Sequence, residues 1–171
     1  MENVNNIGIM SDSHDNLAAI RAAVELFNRE KVDLVIHAGD LVAPFTAREI
    51  KKLRCPYKIV LGNNDGEILG LYKIYDGNVF QPPFFLSVGG QAICVLHDPC
   101  LLKELKESQN YDVIIYGHDH KPFVEQLTDG TIIVNPGECG GWVTGKSTVA
   151  ILNLSSREVK IVDIPQRDKL Q

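Results

Sequence analysis

Five short polar segments in this sequence each follow an apolar run. Asp12-Ser13-His14 follows Val4 to Met10, and Gly39-Asp40 follows Asp33 to His37. Gly62-Asn63-Asn64-Asp65 follows Tyr57 to Leu61. His97 ends the run Gln91 to Leu96, and Gly117-His118-Asp119-His120 comes after Asp112 to Tyr116. Carboxylate, imidazole and amide donors in this mixture suit borderline divalent metals such as manganese, iron, zinc or nickel. Two such ions about 3.5–4 Å apart can share a hydroxide and clamp a phosphoryl group between them. Gly39, Gly62 and Gly117 are expected to let the backbone turn sharply, so that the next side chain faces the site.

Taken singly, each segment has an ordinary structural explanation. Asp-x-His can be a polar turn or a helix cap, and Gly-Asn-Asn-Asp reads equally well as a β-turn. His97 could be a strand-end histidine satisfied by backbone. Gly-His-x-His is the strongest, because two imidazoles flank a single residue directly after an apolar strand. What is specific is the ordered set, with every member placed where a strand should end.

The surrounding pattern supplies those strands. Val4 to Met10 reads as a buried strand. A helix follows from about Asn16, with Leu17, Ile20, Val24 and Phe27 on one face and Asp15 or Asn16 as its cap. Asp33 to His37 is a second strand, and Pro44 suits the first turn of a helix carrying Ala47, Ile50 and Leu53. Tyr57 to Leu61 is a third strand, so the first half alternates as parallel βαβ units do. The second half changes character. Phe84 to Val88 and Gln91 to Leu96 flank Gly89-Gly90 as a hairpin. A helix over Pro99 to Ser108 precedes the strand Asp112 to Tyr116. Pro122 to Leu127 pairs with Thr131 to Asn135 across Asp129-Gly130, and Ser147 to Leu154 pairs with Glu158 to Ile164 across Ser155-Ser156-Arg157. The expectation is one α/β domain over residues 1–171, with two packed sheets and helices outside. Ligands in such sheets gather at the carboxyl ends of strands.

Composition narrows the function. The 171 residues are 44% hydrophobic, enough for one substantial core. No run approaches the roughly 18–20 apolar residues that span a membrane, and the polar start from Met1 to Asn6 is no signal peptide. A cytoplasmic protein is expected. The net charge of −5 comes without any basic cluster, which argues against duplex nucleic acid as a partner. Cys55, Cys94, Cys100 and Cys139 have no CxxC spacing and read as reduced thiols, with no zinc ribbon implied. No phosphate-cradling Gly-x-x-x-x-Gly-Lys loop supports a nucleotide-binding regulator.

The ordered motifs resemble those of the calcineurin-like metallophosphoesterase superfamily, in particular its small bacterial and archaeal phosphodiesterase branch. The resemblance spans roughly Ile7 to Gly141 and includes the turn Asn135-Pro136-Gly137. It implies a four-layer αββα sandwich of two mixed β-sheets flanked by helices, with two metal ions at the sheet edge. Carried over by position, Asp12, His14 and His120 would hold one ion, and Asn63, His97 and His118 the other. Asp40 would bridge both. Manganese is the first choice of metal, with nickel, iron, zinc or magnesium as alternatives. The implied activity is hydrolysis of phosphate esters by in-line attack of a metal-bridging hydroxide, with a broad range of phosphodiesters or small-molecule phosphodiesters as substrates.

Two positions depart from the family pattern. Asn64 stands where many members have a histidine that contacts the phosphate and assists the leaving group. Asparagine can donate a hydrogen bond to phosphate but supplies no proton at neutral pH. Asp98 stands where glycine usually follows the single histidine, and it either orients His97 from behind or caps the helix after Pro99. His37, outside the pattern, is expected to pack in the core. Cys139 could line the pocket without being a nucleophile, and Trp142 and Lys146 are placed on nearby loops. The competing reading is a non-catalytic scaffold, since a retromer subunit shares this fold and acts through protein contacts. A homodimer is the commonest assembly for such a chain.

Overall fold

In both halves of the chain, apolar side chains line both faces of the central strands, so these strands need cover above and below. A computed structural model shows how that cover is arranged; it describes residues 4–165. Met1, Glu2 and Asn3, which open the polar start discussed above, and residues 166–171 of the expected domain lie outside the described residues.

The first sheet contains β1 (Asn6–Met10), β2 (Leu34–Ala38), β3 (Tyr57–Val60), β4 (Val79–Phe80), β10 (Thr148–Asn153) and β11 (Glu158–Asp163), in the order β11-β10-β1-β2-β3-β4. β1 to β4 run parallel, and β10 and β11 join antiparallel beside β1. The second sheet has the order β5-β6-β7-β9-β8, from β5 (Phe84–Val88), β6 (Gln91–Val95), β7 (Val113–Ile115), β8 (Phe123–Gln126) and β9 (Ile132–Asn135). Here β6, β7 and β9 are parallel, while β5 and β8 close antiparallel hairpins on the two edges. All three expected hairpins are present, trimmed by a residue or so at their ends.

Alternation along each strand builds the layers. Ile7, Ile9, Leu34 and Ile36 share one buried cluster with Val95, Val113, Ile115 and Val134, which seals the two sheets together. Met10, Val35 and Ile59 point the other way, toward Ile20, Val24 and Phe27 of α1 (Leu17–Arg29). Cys94, Ile114 and Ile133 pack beneath Leu102 and Leu105 on the far side, where α4 (Leu102–Ser108) lies. Each fully buried large aliphatic or Phe contributes about 1.5–3 kcal/mol. The result is the four-layer αββα sandwich. At Gly8 a Cβ would lie 2.7 Å from the Phe27 ring, so this glycine lets α1 settle closely on β1.

Asn16, not Asp15, caps α1 by accepting from the Ala19 N–H. Pro44 opens a 3-10 turn (Pro44–Thr46) that leads into a single-turn α2 (Ala47–Ile50), shorter than its apolar spacing suggested. Pro99 likewise opens a 3-10 turn before α4. Two elements were not expected: α3 (Ile68–Ile74) and the two-residue β4. α3 is short and apolar nearly all round, with Ile68, Leu69, Leu71, Tyr72 and Ile74, so no polar face marks it out as a helix. Among the described residues, no helix is long and apolar enough to cross a membrane.

Candidate metal centre

β1, β2 and β3 lie side by side in parallel, so their carboxyl ends open at one edge of the sandwich. β6 and β7 bring the second sheet's carboxyl ends to the same edge. All seven residues singled out from sequence converge there. His97 Nε2 lies 3.3 Å from Asp40 Oδ2, and His14 Nε2 lies 3.7 Å from the same oxygen. Asp12 Oδ1 is 4.0 Å from His14 Nε2 and 3.5 Å from His120 Nε2. Asn63 Oδ1 sits 2.9 Å from His97 Nε2 and 3.0 Å from His118 Nδ1.

The loops reach this geometry through unusual backbone. Asp12, His14, Asp40, His118 and His120 all have positive φ, between 41° and 73°. Such left-handed residues cost about 1–3 kcal/mol each and persist only where the surroundings hold them. Asp65 holds the Asp40 loop, because its carboxylate accepts from the Gly62, Asp40 and Val42 N–H groups at 2.6, 3.1 and 2.6 Å. Val42, a β-branched residue at φ 87°, is otherwise a severe outlier. The first loop is braced against the second by the Asp12 N–H on Gly39 O and the His14 N–H on Asp40 O. His118 N–H in turn donates to Asp12 Oδ2 at 3.1 Å.

Two of the three glycines act differently from the expectation of sharp turns. Only Gly39, at φ 99°, is left-handed. At Gly62 a Cβ would overlap the Asp40 carboxylate and approach its backbone nitrogen to 2.5 Å. At Gly117 it would overlap the Ser11 hydroxyl and crowd Asp12 Oδ2 at 2.8 Å. These two glycines make room for neighbouring loops, and the turning is done by the ligand-type residues themselves.

Electrostatics and hydrogen bonding test whether metal ions suit the cluster. Asp12 Oδ1 and His14 Nε2 are buried and have no hydrogen-bond partner among the described residues. Such orphaned atoms are costly and rare in a folded protein. Asp12, His14 and His120 also offer ligand atoms within 4.8 Å of one another, and Asp12, Asp40 and His97 make a second such set. Burial pushes the Asp12 carboxyl up, against the Ser11 hydrogen bond and nearby imidazoles that favour its charge. Burial also opposes ionisation of Asp40, yet His97 and the two Asn64 donors hold it well below the usual carboxylate range. The His97 imidazole is raised: burial works against its charge, but Asp40 and the Ala38 carbonyl outweigh it. The donors present therefore fit divalent cations.

The other residues named from sequence have definite places. Asn64 donates to Asp40 through both its N–H, at 2.8 Å, and its side-chain amide, at 2.7 Å. Asp98 caps the turn at Cys100, whereas His97 Nδ1 is set by Ala38 O at 2.9 Å. The capping alternative for Asp98 therefore holds. His37 is buried behind the site with Nε2 on Ser13 Oγ, and burial lowers it to about 3. Cys139 is fully buried in the core beneath α1, where burial raises its thiol far above the usual range. Lys146 and Trp142 are exposed. Sequence reasoning missed Glu138, whose buried carboxylate lies 3.5 Å from His120 Nδ1. Its partners are local backbone N–H groups, which leave no signature in sequence.

With the geometry in hand, comparison with known proteins is direct. The family model described as a calcineurin-like phosphoesterase superfamily domain matches residues 6–157. A phosphodiesterase of Methanocaldococcus jannaschii is 38% identical over 160 residues, covering 90% of this chain and 96% of its own. A solved structure described as a novel archaeal phosphodiesterase superposes with a TM-score of 0.88 at 35% identity, over 93% of this chain and 99% of that one. A single mutant of Vps29 from Entamoeba histolytica shares the fold alone, with a TM-score of 0.68 at 18% identity over 94% of this chain and 99% of that one.

Proposed function

This chain belongs to the calcineurin-like phosphoesterase superfamily, and from that premise we propose that it is a metal-dependent phosphodiesterase acting on small-molecule esters as a single domain. One observation carries the reading. The orphaned Asp12 Oδ1 and His14 Nε2 lie at the strand ends beside Asp40 and the other ligand-type residues, where no Lys or Arg among the described residues pairs with them. Asp12, His14 and His120 would hold one ion, Asn63, His97 and His118 a second, with Asp40 between them and manganese the first choice. When bound, the ions would lower the pKa of a coordinated water and offset charge on the phosphoryl oxygens.

The chain's own groups do the positioning. Ala38 O at His97 Nδ1 would leave Nε2, which lies against Asn63 Oδ1 and Asp40 Oδ2, as the ligating nitrogen, a tautomer choice typical of metal-site histidines. Asn64 pins the Asp40 carboxylate with two hydrogen bonds and holds its orientation. Because Asn64 has no proton to give, leaving groups that depart as stable anions are the better substrates. The four free cysteines accord with a reducing, cytoplasmic setting.

A scaffold acting through protein contacts is the second reading, supported by the exposed apolar residues Leu69 and Tyr72 on α3. Metal analysis of the purified chain, joined to a chromogenic phosphodiester assay across divalent metals, separates the two. Bound metal with turnover is expected; stoichiometric metal without any turnover would favour the scaffold.

A further inference from the structure

The chain has one tryptophan, and it stands at the rim of the candidate metal centre. Trp142 is 63% exposed, although tryptophan is among the more buried residue types. Its exposure does not come from a loose loop. The indole N–H donates to His14 O at 3.1 Å, and the backbone N–H donates to Glu138 Oε1 at 2.6 Å. Glu138, itself buried, also accepts from the Val143 and Thr144 N–H groups and from the Thr144 hydroxyl at 2.7 Å. Upstream, Gly140 N–H bonds Asp12 O, and Gly140 O accepts from the Asn16 amide at 2.7 Å. A Cβ at Gly140 would stand 3.1 Å from the indole ring and 3.0 Å from Asp12 O, so glycine lets this segment lie flat on the ligand loop. The indole is thus fastened along Asp12 to His14 with its polar atom satisfied and much of its ring open to solvent.

We propose that Trp142 is an aromatic wall that stacks on the non-reacting substituent of the substrate, so that the site favours phosphodiesters bearing a nucleobase or aryl group. The inference rests on the phosphodiesterase reading above and adds a substrate class to it. The indole is hydrogen-bonded to the backbone of His14, one residue of the cluster, so a substituent of an ester held at that cluster would meet the ring. A fastened ring loses little freedom on stacking, and a flat π-face accepts any base without hydrogen-bond readout. Val143, the next residue along the chain, is 75% exposed as well.

The test uses two chromogenic esters with the same leaving group, thymidine 5′-(4-nitrophenyl phosphate) and methyl 4-nitrophenyl phosphate, on the manganese-loaded chain. The wild type is expected to show the lower KM for the thymidine ester. Trp142→Ala should shrink the ratio of the two KM values about tenfold, and Trp142→Phe should restore most of it. Because Trp142 is the sole tryptophan, thymidine 5′-monophosphate should also quench its fluorescence saturably. An unchanged KM ratio in Trp142→Ala, or a ratio not restored by Trp142→Phe, overturns the wall. If neither ester is turned over with metal bound, the phosphodiesterase reading fails, and the quench alone decides the wall: no quench overturns it. Shielding of Trp142 from acrylamide that grows with protein concentration would overturn it too, with a second copy as the occupant.

Discussion

Two buried carboxylates, Asp40 at the strand ends and Glu49 between α1 and α2, are both held low in pKa, but by opposite means. Glu49 is surrounded by cations from its own chain: Arg21 at 2.9 Å, Lys52 at 2.7 Å and Arg48 at 3.8 Å. The Arg21 hydrogen bond is the main cause of its depression to about 2, with burial opposing and Lys52 assisting. Asp40 receives hydrogen bonds from the Asn64 amides and lies against imidazoles, and no Lys or Arg pairs with it among the described residues. Its neighbours Asp12 and His14 keep unpartnered atoms. A carboxylate that serves the fold brings its own counter-ion. Asp40, by contrast, is framed by His97 and the Asn64 donors, as the proposed metal site would require.

The contrast can be broken at either end. The largest effect belongs to Asp40→Asn, which should lower phosphodiester turnover with manganese by on the order of a thousandfold. Wild-type rates in that variant would remove Asp40 from the site. Next comes metal addition itself. Manganese at about 100 times its Kd should stabilise the wild type by about 2.7 kcal/mol through preferential binding to the folded chain. Calorimetry with and without chelator reads this directly, and the gain should shrink in Asp12→Asn; an equal gain in both would place the metal elsewhere.

Glu49→Gln should cost about 2 kcal/mol at neutral pH through loss of charge-assisted hydrogen bonds, with turnover unaffected. Its pH signature has a definite sign. Glu49 has a folded pKa near 2 against an ordinary 4.5, so its contribution is complete above pH 4.5 and lost as pH falls toward 2. Denaturation curves of wild type and variant should therefore converge in acid, and a constant gap down to pH 2 would contradict the ion pair. The smallest effect is expected from Asn64→His. An imidazole in a place not shaped for it should raise rates a few-fold for poor leaving groups relative to good ones, well short of the 10²–10⁴ of positioned general acids. An equal change for both kinds of ester would exclude leaving-group protonation there.

Most of the site was legible in the sequence because its residue types are chemically unusual at strand ends and strand ends follow from apolar runs. Asp12, His14, Asp40, Asn63, His97, His118 and His120 needed only the order of the strands to meet. What stayed hidden was the backbone. Positive φ at Asp12, His14, Asp40, His118 and His120 has no marker, because the restraint comes from tertiary hydrogen bonds such as those of Asp65. Gly62 and Gly117 were visible as glycines, but their reason, a neighbouring loop in the way, exists only in three dimensions. In the fold, α1 announced itself through a broad apolar face set against a polar one, whereas α3 is short and carries exposed Ile68, Leu69 and Tyr72, which blur its period. β4 is too short to read as a strand at all.

The order of strands has a consequence for how the molecule comes to exist. β1, which leads into Asp12 and His14, takes β2 on one side early, but its other neighbour, β10, spans residues 148–153. The ligand loop itself is fastened by Cys139 N–H on Ser11 O and Gly140 N–H on Asp12 O. The loop that carries Asp12 and His14 is therefore locked only by residues far along the sequence, and a chain cut before Cys139 would carry all seven ligand-type residues without these anchors.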